Sequence, residues 1–157
     1  MKTTLLTIGK TDAAYLQTGI GDYVGRLGHY IPFEMVSLPD VKNVKNLTEE
    51  QQKVAEGKLP LQNLEVSDQV ILLDEGGKQY SSREFAQFMV KMTNSGAKRL
   101  VFIIGGPYGF SAEVYKRANG KLSLSPMTFS HQMVRLIFVE QLYRAQTIIK
   151  GEPYHHD

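Results

Sequence analysis

Two pairs of polar residues interrupt an otherwise apolar stretch running from about His131 to Lys150: His131 with Arg135, and Glu140 with Arg144. Members of each pair are four apart, so on a helix they are neighbours. Glu140 and Arg144 could be an interfacial ion pair, which adds little net stability. Equally, Arg144 could hold a phosphate or a base while Glu140 orients it, and the helix pattern favours neither. Upstream, the apolar run Leu100 to Ile104 breaks at Gly105-Gly106-Pro107-Tyr108-Gly109. Such a loop lets a ligand approach backbone amides closely. A second loop, Ser125-Pro126-Met127-Thr128-Phe129-Ser130, also leaves a strand and enters a helix. Two such loops close in sequence can wall one pocket, where open α/β sheets bind ligands.

Spacing excludes several chemistries. The glycine loop lacks the G-x-G-x-x-G of a dinucleotide fold, and no glycine-rich loop ends in Lys-Ser or Lys-Thr. His29, His131 and His155-His156 are scattered and form no metal-binding pattern, and no G-x-S-x-G marks a hydrolase serine. Cysteine is absent, which removes disulfides, thiolate zinc sites and a cysteine nucleophile.

The elements that must position these loops alternate between strand and helix. Thr3 to Ile8 is a strand ended by Gly9, and Ala13, Leu16, Ile20, Val24 and Leu27 mark one face of a helix over 12–30. PFEMVSLP reads as a strand, and DVKNVKNLT as an exposed loop. Thr48 with Gln51 and Ser81 with Glu84 have capping-box spacing, so helices begin at both. Between them Val70 to Leu73 is a buried strand ending at Asp74-Glu75-Gly76-Gly77, and Ser111 caps a short helix after the glycine loop. Five alternations predict one α/β domain over 1–157, a mostly parallel sheet with helices on both faces. The last helix is apolar on nearly every side, from Met133 through Ile149. A helix apolar all round is buried all round, so a homodimer is expected.

Composition sets the outer limits. At 157 residues, 42% hydrophobic and 22% charged, this is an ordinary globular chain. The N-terminal apolar core is too short for a signal peptide and no run approaches a membrane span, so a cytoplasmic location without membrane attachment is expected. Net charge is +2, with −3 in residues 1–90 and +5 in residues 91–157. The basic half is the half with the glycine loop, a pattern that suits an anionic partner such as RNA or merely solvated helix surfaces.

IGGPYG at 104–109, LSLSPMTFSHQMVR at 122–135, EQLYRA at 140–145 and the terminal PYHHD together resemble the ribosomal RNA large subunit methyltransferase H family, small members of the SPOUT methyltransferases. LLTIGK, YVGRLGHYIPFE and LLDEGGKQYSS extend the resemblance along the whole chain. It implies a C-terminal trefoil knot, an exception to the usual rule against threaded chains. It also implies S-adenosylmethionine as cofactor, a homodimer, no metal, and methylation of N3 of a pseudouridine in 23S ribosomal RNA on assembled ribosomes. Carried over residue by residue, the cofactor contacts are Leu73, Gly105, Leu124, Ser125, Pro126, Met127, Thr128 and Phe129.

The candidates for catalysis by the same analogy are Glu140, Arg144, Tyr154 and His155, with the tail of one protomer completing the site of the other. His155 is the candidate base and Tyr154 also a stacking surface for the target base. One departure is His156, where many relatives carry a basic residue after Tyr-His; Arg135 or Lys150 are the candidates to supply that cation. Lys42, Lys45, Lys98, Arg99, Lys116 and Arg117 are candidate RNA contacts. Rival readings are a non-catalytic ribosome- or RNA-binding protein that keeps the knot, or a SPOUT enzyme acting on tRNA.

Overall fold

The computed structural model describes all 157 residues. Five parallel strands form a single sheet in the order β2-β1-β4-β3-β5: β1 (Lys2–Ile8), β2 (Phe33–Leu38), β3 (Gln69–Gln79), β4 (Arg99–Ile104) and β5 (Gly120–Ser123). The helices are α1 (Ala14–Leu27), α2 (Glu49–Gln62), α3 (Ser82–Asn94), α4 (Ala112–Arg117) and α5 (Met133–Ile149). Both expected capping boxes are present: Thr48 Oγ1 accepts the Gln51 amide while Gln51 caps Thr48 in return, and Ser81 and Glu84 do the same.

Side chains alternate across each strand, so two cores result. Leu5, Ile71, Leu100, Phe102 and Ile104 face α1, α3 and α5, whereas Leu6, Val70, Leu72, Val101 and Ile103 face Phe110 and Val114 near α4. The central strands β1 and β4 are buried on both faces, as parallel sheets require.

The loop after β2 contains one turn of 3-10 helix, Val44–Asn46. A larger difference from the sequence reading concerns β3, which does not stop at Leu73. It pairs with β5 at Leu73↔Leu122 and again at Lys78↔Leu122, with a register shift between. The intervening residues bulge out, and Gly77 is what permits it: a Cβ there would stand 2.7 Å from the Leu122 nitrogen. The bulge delivers Asp74 and Glu75 to the C-terminal edge of the sheet.

From β5, at one edge, the chain must reach the end of β1, on the far side of β3 and β4. Gln132 marks its arrival, accepting from the Asp12 amide at 2.9 Å and donating to the Lys10 carbonyl at 3.1 Å. Arg135 fixes the start of α5 there. It is 0% exposed, and its guanidinium donates to the carbonyls of Ile8 (2.8 Å), Gly9 (2.9 Å) and His131 (3.1 Å) and to Thr11 Oγ1 (3.1 Å). Burial lowers its pKa from the usual arginine value, with Asp12 and Asp40 opposing. The expectation that Arg135 could serve as a free cation is therefore corrected: each of its guanidinium nitrogens is bound to Ile8–Thr11 at the end of β1 or to His131 just before α5.

Candidate active site

A cavity of about 560 Å³ opens at the C-terminal ends of β3, β4 and β5. Leu73 comes from β3, Gly105 through Phe110 from the loop after β4, and Leu124, Ser125, Met127, Thr128 and Phe129 from the loop after β5. Seven of the eight residues named for a cofactor thus line one cavity. Pro126 belongs to the same loop but is not among the lining residues.

Local hydrogen bonds shape both walls. Ser123 Oγ donates to the Ser125 carbonyl at 3.0 Å and Ser125 Oγ accepts the Met127 amide at 3.0 Å, so the serines fold the second loop on itself. That leaves Met127 75% exposed. Gly109 has φ +84° and its amide closes a turn on the Gly106 carbonyl at 3.2 Å. A Cβ on Gly105 would lie 3.1 Å from the Phe110 ring, so a side chain there must displace Phe110 and reshape the loop.

The lining also contains residues that the sequence did not single out as contacts: Asp74, Glu75, Ser130, His131 and Val134. Asp74 is held by the Gly76 amide at 2.7 Å and by the Tyr115 hydroxyl, which donates to its other oxygen. Burial and that bond push the Tyr115 pKa up to about 12. Glu75 is exposed at the rim. The rim therefore carries two carboxylates and no lysine or arginine. That suits a ligand bearing positive charge better than a phosphate.

The second candidate group lies elsewhere on α5. Arg144 Nη2 donates to Glu140 Oε1 at 2.5 Å, and the Tyr154 hydroxyl donates to the same oxygen at 2.9 Å. Arg144 Nη1 meets His155 Nδ1 at 3.1 Å, and its guanidinium lies 4.8 Å from the centre of the Tyr154 ring. Glu140, Arg144, Tyr154 and His155 are thus one contiguous cluster. Tyr23 on α1 extends it, hydroxyl to hydroxyl with Tyr154 at 3.2 Å. Burial, then Tyr23 and Glu140, raise the Tyr154 pKa far above the usual phenol range, so it remains a donor.

At the outer side His155 Nε2 faces Asp157 Oδ1 at 2.7 Å, and Arg83 binds the other Asp157 oxygen at 2.6 Å. Because an arginine only donates, His155 Nδ1 accepts and the proton resides on Nε2, toward Asp157. Both ring nitrogens are engaged. Arg83 and then His155 hold the Asp157 carboxyl below its usual range. The short tail is thereby tied to α3 and α5 by charge-assisted bonds.

The cavity and this cluster are separate within one chain. Val134 lines the cavity, whereas Glu140 and Arg144 lie about 9 and 15 Å further along the helix axis and are turned by about 240° and 280° around it. Of the lysines and arginines considered for RNA, Arg99 and Arg117 are corrected. Arg99 pairs with the buried Asp68 at 2.7 Å, and Arg117 donates to the Glu65 and Asp68 carbonyls. Both brace the N-terminal end of β3, opposite the cavity. Lys42, Lys45, Lys98 and Lys116 are exposed.

The sheet is parallel and two loops wall a cavity over its C-terminal edge, and the chain belongs to the SPOUT methyltransferase family. The family model described as "Predicted SPOUT methyltransferase" matches residues 1–155. Among individual proteins the chain is similar over its length to "Ribosomal RNA large subunit methyltransferase H" of several bacteria. It is 58% identical over 157 residues to that of Parabacteroides distasonis, covering all of both chains. Identity is 60% over 156 residues with that of Flavobacterium johnsoniae, covering 99% of each, and 61% over 152 residues with that of Christiangramia forsetii, covering 97% of each. No helix is long and apolar enough to cross a membrane, and no group of three or more His, Asp or Glu could hold a metal ion.

Proposed function

We propose that the chain methylates N3 of a pseudouridine in 23S ribosomal RNA in the bacterial cytoplasm, on assembled ribosomes, with S-adenosylmethionine bound in the cavity. The observation that carries the cofactor assignment is the acidic, cation-free rim around a glycine-walled apolar cleft. S-adenosylmethionine bears a sulfonium and an ammonium against one carboxylate, so its net charge is positive and complementary to Asp74 and Glu75. Leu73, Leu122, Leu124 and Val134 supply apolar surface for its adenine, and backbone amides of the two loops supply donors.

S-adenosylmethionine supplies a methyl group already activated for transfer to a nucleophile. What remains for the protein is to place the base and remove its N3 proton. In this reading Arg144 moves from His155 onto a carbonyl oxygen of the base and stabilises the ring anion. The same movement uncovers His155 Nδ1, which takes the N3 proton while Asp157 steadies the imidazolium. Glu140 holds Arg144 and Tyr154 in register, and the Tyr154 ring offers a face on which the base stacks.

Because the cavity and the cluster are separated along α5, the site needs both from different chains. We infer a homodimer in which the cluster of one protomer faces the cavity of its partner. Support comes from α5 itself: it buries Phe138, Val139, Leu142 and Ala145, yet Met133, Ile137, Ile148 and Ile149 remain part-exposed or exposed. The knot belongs to the same proposal, since the chain crosses the ends of β3 and β4 between β5 and α5. Transfer of labelled methyl to 70S ribosomes, free 23S RNA and tRNA, with the modified nucleoside identified by mass spectrometry, is the test. Label in 23S RNA of ribosomes at N3 of pseudouridine is expected. Label in tRNA overturns the target, and ribosome binding without label overturns the enzymatic reading.

A further inference from the structure

Beneath the glycine wall lies a buried acid that the chemistry above does not use. Glu56 on α2 is 7% exposed. Its Oε2 accepts a long bond from Gln52 at 3.4 Å, and its Oε1 is buried without any partner. Both oxygens stand 2.5 Å from where a Cβ on Gly106 would be, so the carboxyl occupies the place of the side chain that Gly106 lacks. The next residue repeats the fit. A Cβ on Gly57 would lie 2.8 Å from Ser111 Oγ and 2.9 Å from Val114 Cγ2. The Glu56-Gly57 step of α2 is therefore moulded to the Gly105–Gly109 turn and the start of α4.

We propose that Glu56 is a positioning residue for the cofactor cavity, its carboxyl serving as the strut beneath Gly106 that holds the Gly105–Gly109 wall in its binding shape. The inference rests on the reading that this cavity holds S-adenosylmethionine. The recess around the carboxyl has a volume of about 10 Å³, at the lower limit for a single water. That leaves Oε1 no room for the hydration an ionised carboxylate requires. Of the charged groups facing it, Lys53 on its own helix is paired with Glu50 at 3.0 Å, and Asp40 from the loop after β2 adds like charge. Ser111, from the start of α4, accepts the Val114 amide. Burial raises the Glu56 pKa, the Gln52 bond opposes this, and Asp40 adds to it. Burial therefore favours the strut in its neutral form. Its support is present at low pH and is lost as pH rises through the raised folded-state value.

The test compares wild type with Glu56→Gln, Glu56→Ala and the pair Glu56→Ala/Gly106→Ala. The readouts are calorimetric binding of S-adenosylmethionine from pH 5 to 8 and, in the ligand-free protein, hydrogen exchange of the Gly105–Phe110 amides with all variants at one pH. Wild-type affinity should fall as pH rises. Glu56→Gln, a permanently neutral isostere, should bind within about twofold of the low-pH wild type across the range. Glu56→Ala should lose roughly tenfold in affinity and in loop protection, and the Gly106 methyl should restore part of both by refilling the void.

Identical pH profiles for wild type and Glu56→Gln would overturn the proposal. So would unchanged loop protection in Glu56→Ala, whether or not the cofactor binds. Failure of the wild type to bind S-adenosylmethionine at any pH would instead sink the cofactor assignment, leaving the exchange data to judge the strut.

Discussion

Replacing Arg135 by Met separates two opposed effects that the structure places on one side chain. The guanidinium is wholly buried and makes four hydrogen bonds, three of them to the carbonyls of Ile8, Gly9 and His131. Methionine fills most of the same volume but leaves those carbonyls without this donor, at about 1–3 kcal/mol for each acceptor stranded from solvent. Against that, no carboxylate lies within ion-pair distance, and burial lowers the arginine pKa, so removing the cation relieves a desolvation penalty of several kcal/mol. The His131 carbonyl is only part-buried, so with the two buried acceptors of Ile8 and Gly9 about 2–6 kcal/mol is set against that relief, and the acceptors should win by about 1–3 kcal/mol. For a chain of this size that lowers Tm by roughly 2–12 °C. Urea unfolding monitored by circular dichroism measures it. A variant as stable as wild type would show that the desolvation penalty cancels the bonds and that Arg135 does not hold α5 to β1.

Glu140→Gln should reduce methyl transfer roughly 10²–10⁴-fold, because the amide no longer fixes Arg144 as an ion pair, while S-adenosylmethionine affinity changes little; single-turnover rates and calorimetry separate the two. Asp68→Asn should cost roughly 3 kcal/mol at pH 7, since Asp68 is buried against Arg99. Burial alone would raise the Asp68 pKa, but Arg99 and the Glu65 amide outweigh it and hold the value below the ordinary 3.8. The stabilisation is therefore full above that ordinary value and is lost as pH falls through the lower folded-state one, so the mutant and wild-type unfolding curves should converge only at pH values below 3.8. Gly77→Ala should destabilise by at least about 2 kcal/mol, because its methyl would press on the backbone of Lys121 and Leu122; thermal unfolding reads this directly.

Most of the architecture was legible because local signals and the global fold agree. Apolar runs ended by glycine or proline marked four strands, and the two capping boxes located α2 and α3 to within a residue. Consecutive strand and helix patterns then left few arrangements other than a parallel sheet. The cavity followed from the same logic, since loops after parallel strands gather at one edge. What could not be read were features that depend on distant partners. The sequence at Asp74-Glu75-Gly76-Gly77 looks like a strand terminus, and only pairing with β5 on both sides of a bulge makes it continuous. Arg135 looks like a surface cation four residues from His131, yet two of its partners are buried carbonyls more than a hundred residues away. Glu56 resembles any solvated helix acid until α2 is laid against Gly106.

The tail illustrates both limits. Its residue types were informative only through their resemblance to a family, and a terminal Tyr-His-His-Asp would otherwise be expected to fray. In the structure Tyr154 and His155 are fastened to Glu140 and Arg144 of the same chain, and Asp157 to Arg83. Within a protomer the cluster is complete without being near the cavity. The proposed dimer is therefore the element on which the chemistry depends.

Subunit mixing tests that account most directly. Leu124→Trp blocks a half-buried position of the cavity wall, and Glu140→Gln disables the cluster. Each homodimer should be inactive in labelled methyl transfer. After unfolding and refolding in equal amounts, half of the dimers are mixed, and each mixed dimer pairs one intact cavity with the partner's intact cluster. Roughly a quarter of wild-type activity should return if the site is shared across a two-fold dimer. A mixture no more active than its parents would contradict the account and place cavity and cluster in the service of a single chain.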